Sequence, residues 1–176
     1  MKYVLLVIGL IVVVAAGLFY FNKDLVYETM GWIAATDYKS IAYRLDGANV
    51  KLVNGLAETP NASGAASKVI TKYFGNEVSG DFNDDGRQDA AFILTQETGG
   101  SGTFFYLVAA LGGANGYTGT NGVLLGDRIA PQTTEFGDGI ITVNYAERAP
   151  GEPMTAAPST AGSMRLQVVG GKLVRI

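Results

Sequence analysis

The chain has 176 residues, of which 48% are hydrophobic and 16% charged, with a formal net charge of −3. That length fits one domain plus an accessory segment, and the acidic balance lacks the basic face that nucleic-acid binding usually requires, so no nucleic-acid partner is expected. The sequence contains no cysteine and no histidine. This excludes disulfides, thiolate or imidazole metal sites, cysteine nucleophiles and histidine-based triads.

The first segment reads as an address. "MKYVLLVIGLIVVVAAGLFYFNKD" is uncharged and apolar from Val4 to Phe21, 18 residues. As a helix this run would span roughly 27 Å, close to the ~30 Å hydrocarbon core of a bilayer. Tyr3, Tyr20 and Phe21 fall near its ends, where aromatic rings favour the interface. Residues 1–22 are therefore expected to form a transmembrane or signal-anchor helix, placing the protein in the cell membrane as a single-pass chain. Lys2 and Lys23 weakly favour an extracytoplasmic C-terminal domain. Two other readings stand beside it. "VAA" at Val14–Ala16 meets the small-residue rule for signal-peptide cleavage, which would make the domain secreted. A type IV pilin also opens with an apolar helix, which would make the chain a filament subunit, but the glutamate and processing site usual there are missing. Residues 23–40 form a tether, with Leu25, Val26, Met30 and Ile33 at helical spacing.

From residue 41 to 176 the pattern is strands punctuated by turns. "IAYRL" and "VKLV" are separated by Asp46-Gly47, and Asn54-Gly55 follows; both dipeptides are hairpin signals. "AETPNASGAAS" reads as a loop and "KVITKYF" as a half-buried strand. "AAFILT" and "TFFYLVAAL" are continuous apolar runs of strand length, the mark of central strands buried on both faces. "QETGGSG" connects them as a hairpin. "GVLLG", "IITVNYA", "MRLQVV" and "KLVRI" follow, with Gly170-Gly171 as the last tight turn. "ERAPGEPMTAAPSTAG" is a long Pro-rich loop. The fold class expected is all-β, an antiparallel sandwich or barrel of about nine short strands.

The chemistry concentrates in "SGDFNDDGRQDAAFIL". Asp81, Asn83 and Asp85 occupy positions 1, 3 and 5 of a D-x-[DN]-x-[DN]-G loop, Gly86 position 6, Arg87 position 7 and Asp89 position 9. Calcium is a hard cation that takes six to eight oxygens at about 2.3–2.6 Å. Alternate residues of a tight loop supply such oxygens, Arg87 through its carbonyl with the side chain pointing away. Four aspartates against one arginine would repel without a cation. Phe92 stands where a helix–loop–helix hand has its bidentate glutamate, so Asp89 is expected to close the shell. The competing reading is an Asx-rich turn with no ion. The strand–loop–strand setting, with Gly80, Asp81, Asn83, Asp85, Gly86 and Asp89, resembles the calcium loop of FG-GAP propeller repeats. That resemblance covers about 15 residues and implies Ca2+ between two strands; it does not imply a propeller, because one copy is present.

More broadly, the stretch from "SKVITKYFGNEVSGDFNDDGRQDAAFIL" onward, taken with the chain from Tyr38 to the C-terminus, resembles a family of uncharacterised bacterial envelope proteins. Some of these are associated with META or lysozyme-inhibitor-like modules. The resemblance implies an extracytoplasmic location and nothing sharper; a non-enzymatic domain anchored there would be expected to bind an envelope protein or glycan. Weaker candidates are Ser101, which lacks a histidine base, and the pairs Asp127/Glu135 and Glu147/Glu152, which a cell-wall hydrolase would use as loop carboxylates. Arg128 and Arg148 are expected to fix loops through ion pairs.

Overall fold

The computed structural model describes residues 37–61 and 67–176. The anchor and the tether up to residue 36 lie outside these residues. No helix among the described residues is long and apolar enough to cross a membrane.

The described chain is all-β with antiparallel sheets. Strands β1 (Ala42–Leu45) and β2 (Ala48–Lys51) form a hairpin. A second sheet runs in chain order through β3 (Leu56–Pro60), β4 (Lys68–Gly80), β5 (Asp89–Glu97), β6 (Phe104–Gly113) and β7 (Gly116–Gly119). Beyond β7, β8 (Val123–Asp127) pairs with the first half of β6. The third sheet orders β9 (Ala130–Gly137), β10 (Ile140–Glu147), β11 (Thr160–Val169) and β12 (Lys172–Arg175) as β12-β11-β10-β9.

The turn dipeptides act as expected. Asp46-Gly47 has φ of 47° and 84°, Asn54-Gly55 51° and 80°, and Gly170-Gly171 56° and 75°. Two successive left-handed residues make the turn whose twist matches the flanking strands. Asp138-Gly139 joins β9 to β10 in the same way, with φ of 52° and 73°.

Strands β5 and β6 carry two cores at once. Successive side chains of a strand point to opposite faces. Ala91 and Ile93 of β5, with Phe105, Leu107 and Ala109 of β6, face Ile141 and Val143 of β10 and Leu166 of β11. Phe92 and Leu94, with Tyr106, Val108 and Ala110, face Tyr43, Leu45 and Leu52 around the first hairpin. The result is three layers, with β5 and β6 in the middle one. The two apolar runs of the sequence are thus central strands, as their composition implies.

Twelve strands stand where about nine are expected. The additional ones are β3, β7 and β9. Each lies at the margin of its sheet. Residues 57–60, expected in a loop, extend β3 to Pro60; β7 holds two glycines; β9 alternates between exposed and half-buried residues. A margin strand buries little, so it needs no apolar run and tolerates Pro and Gly.

The final tether residues are fastened to this domain. Tyr38–Ser40 form a single 3-10 turn, with Asp37 accepting from the amide of Lys39 at 2.9 Å. The hydroxyls of Tyr38 and Tyr73 donate to the two oxygens of Glu77, each at 2.8 Å. Lys39 Nζ lies 4.1 Å from the Tyr73 ring centre.

Phe92 is fully buried and packs against the rings of Tyr38, Tyr43 and Tyr73. Phe92→Ala should cost about 3–5 kcal/mol, read as a lower urea midpoint at unchanged slope. Thr133→Ala on margin strand β9 should cost under about 0.5 kcal/mol.

Candidate metal centre

The aspartate loop links the longest strand, β4, to the central buried strand β5, and Gly80 pairs with Asp89 at its foot. Gly86 has φ of 80°, the left-handed value that position 6 calls for, and Asp84 has φ of 58°. Aspartate tolerates that region better than most residues.

Three side chains fold inward over the loop's own backbone. Asp81 accepts from the amides of Asp85 at 3.0 Å and Gly86 at 2.7 Å. Asn83 Oδ1 also accepts from the Asp85 amide, at 3.2 Å, and its Nδ2 donates to Asp85 Oδ2 at 3.2 Å. Asp85 accepts from the Arg87 amide at 2.9 Å. Asp81, Asn83 and Asp85 are thereby brought together. The Arg87 guanidinium, expected to point away, turns back to Asp85 at 3.7 Å. The uneven charge of the loop accounts for this, since Asp85 is the acidic partner within its reach.

Asp89 is placed differently. It is fully buried, and its two oxygens accept from the amides of Phe82 at 2.8 Å and Gly112 at 2.7 Å. Gly112 belongs to β6, so this carboxylate bolts the loop to the neighbouring strand. Burial is the largest effect on the Asp89 carboxyl and raises its pKa; the two amides pull it down, and Asp85 and Asp81 push it up again. Among the described residues, no three acidic side chains converge as a ready-made metal group. The donor set still suits a hard cation. Each carboxylate oxygen that accepts one amide keeps a further lone pair, and Asp81, Asn83 and Asp85 present oxygens from one curved segment.

Packing explains two glycines of the motif region. A Cβ on Gly80 would lie 2.5 Å from Phe136 of β9, whose ring stacks edge-on against Phe82 at 4.8 Å. A Cβ on Gly112 would lie 2.5 Å from the Gln88 carbonyl. The sequence gives no signal for the Asp89–Gly112 contact except that second glycine.

The weaker candidates separate. Ser101 is exposed in the β5–β6 connection. Glu135 accepts from Thr133 at 3.0 Å on β9, apart from Asp127. Asp127, Glu147 and Glu152 instead line one cavity of about 300 Å3, walled also by Arg148 and Met154. Asp127 is held by Arg128 at 2.8 Å and by the Thr103 amide at 2.9 Å, and Arg128 keeps its carboxyl below the usual range. Arg148 fixes its loop as expected, but through the carbonyls of Ala156 at 2.6 Å and Arg128 at 2.9 Å rather than an ion pair. A guanidinium has five donors, and here carbonyls left without strand partners take them.

Comparison with family models, with curated proteins and with solved structures found no match to this chain.

Asp89→Ala should destabilise the domain by about 1–3 kcal/mol for each amide left bare, measured by denaturant unfolding in chelator. Asp127 gives a pH dependence. Its folded pKa is lowered, so its contribution is full above the unfolded value of ~3.9 and fades as pH falls through and below it. The stability gap between wild type and Asp127→Asn should therefore be widest at neutral pH and close in acid.

Proposed function

We propose that this protein is a membrane-anchored, extracytoplasmic β domain whose Asp81–Asp89 loop holds a structural Ca2+, serving as a non-enzymatic binding module of the cell envelope. The observation that carries the calcium reading is the inward fold of three side chains over one short segment, Asp81 and Asn83 accepting from the Asp85 amide and Asp85 from the Arg87 amide, with Asp89 fixed at the foot of the same loop. The anchor rests on the apolar run Val4–Phe21, and the envelope setting on the resemblance noted above. Ca2+ would draw on Asp81, Asn83, Asp85, the Arg87 carbonyl and Asp89. Bound there, it would offset the mutual repulsion of the aspartates and stiffen the β4–β5 connection. The partner would be an envelope protein or glycan.

One observation favours a hydrolase instead, the cavity shared by Asp127, Glu147 and Glu152. Two of these carboxylates already have other work. Asp127 is ion-paired, and Glu152 accepts from the Ala149 amide at 2.9 Å. Only Glu147 is left for proton transfer, and glycoside hydrolysis generally needs two carboxylates, so the non-enzymatic reading is preferred.

Thermal unfolding of the full chain in non-ionic detergent, with calcium and then with chelator, tests the ion. At a hundredfold excess over Kd a bound ion adds about 2.7 kcal/mol, or roughly 5–10 °C in Tm for a protein of this size. The shift should vanish in Asp81→Ala. An unchanged Tm at millimolar calcium would falsify the site.

A further inference from the structure

A second cavity, of about 200 Å3, opens where β1 meets the β7–β8 link and the last hairpin. Its walls bring together Arg44 of β1 and Lys172 of β12, residues far apart in the chain. The chain forms this junction with its own backbone. Arg44 and Asn121 make a parallel bridge, the Arg44 amide donates to the Thr120 carbonyl at 3.1 Å, and Gly122 donates to the Arg44 carbonyl at 2.8 Å. A Cβ on Gly119 would collide with the Ala42 carbonyl, so the two segments touch only because glycine stands there.

The polar floor is rigid. Thr120 accepts from the Ala109 amide at 2.9 Å and donates to the Asn121 carbonyl at 2.9 Å. The Asn121 amide brackets Leu173, donating to its carbonyl and accepting from its amide, both at 3.0 Å. By contrast, the side chains of Arg44, Lys172 and Asn49 make no hydrogen bond or ion pair with other described residues, although all three line the cavity. Most other described cations are committed. Arg87, Arg128, Lys68 and Lys72 pair with acids, Arg148 with carbonyls, and Lys39 sits over a tyrosine ring. No acidic residue lines this cavity, in a chain whose net charge is −3.

We infer that this cavity is a binding site for an oxyanion carried by a small polar ligand or a sugar. The Arg44 fork would take the anion bidentately, Lys172 would add a point charge, and Asn49 would donate to a neighbouring polar group. The volume admits one such group and not an extended chain. The inference names a ligand class for the binding-module reading and rests on it for biological setting, whereas the cavity's chemistry stands apart from the calcium loop.

The test is a titration of the full chain, in non-ionic detergent with chelator present, followed by amide NMR at constant ionic strength. Inorganic phosphate and glucuronate are the two probes, so that phosphate and sugar-carboxylate sources are told apart. Saturable shifts at Arg44, Gly119–Asn121 and Lys172 are expected with at least one probe. Arg44→Ala and, separately, Lys172→Met should each weaken binding by about tenfold, while Lys51→Ala, a cation outside the cavity, leaves it unchanged. Both substituted side chains are exposed, so either variant can serve if the other folds poorly. Absence of saturable shifts with both probes overturns the inference, as does an equal loss in Lys51→Ala, which would mark diffuse charge screening. Chelator removes calcium from the comparison, so failure here is separate from failure of the metal loop.

Discussion

Burial of β5 and β6 on both faces is the constraint on which the other elements depend. A strand that serves two cores carries apolar side chains along its middle, and residues 90–94 and 105–110 obey this, the one polar group among them being the Tyr106 hydroxyl, which donates to Asp46. The two faces are not equivalent. One is largely aliphatic, Ile93 and Leu107 against Ile141, Val143 and Leu166. The other is aromatic, with Phe92 and Tyr106 against Tyr43 and its neighbours. A slip of one residue in either strand would exchange the faces and drive aromatic rings into the space made for branched chains. The first hairpin and the four-stranded sheet are therefore held in place by a shared pair of strands, each by its own half of the alternation.

This explains which parts of the fold could be read from the residues. The apolar runs identify the central strands because desolvation on two faces leaves no other composition. Asp46-Gly47, Asn54-Gly55 and Gly170-Gly171 identify their turns because few other pairs accept two left-handed residues in succession. The strands that escape notice, β3, β7 and β9, are set by backbone pairing to a neighbour, and pairing writes little into a sequence. The same division runs through the metal loop. The inward fold of Asp81, Asn83 and Asp85 follows from local spacing. The burial of Asp89 does not, since its second amide comes from Gly112, 23 residues away. Arg44 and Lys172 likewise meet only through the tertiary fold.

The loop that draws most attention in the sequence is thus part of the framework. Phe82 carries it onto Phe136 of the other sheet, and Asp89 ties it to β6. Its conformation is largely set by protein contacts at its foot, while the tip, where Asn83, Asp84 and Asp85 lie, stays exposed. A cation arriving there would meet an organised segment, so little ordering entropy would be spent on capture.

The pairing order has a consequence for how the chain reaches this structure. Every strand pairing described joins consecutive strands, except that of β8 with β6. Two meanders therefore follow one another along the chain, and each can zip hairpin by hairpin without waiting for a distant segment. Sequence-local pairing of this kind lowers the loop-closure entropy that slows most sandwich folds. The late, non-local events would be the docking of the two meanders across the aliphatic face and the sealing of Arg44 against Asn121. A chain emerging from its N-terminal end would complete the aromatic half before the third sheet exists, leaving Ile93 and Leu107 uncovered until β10 and β11 arrive.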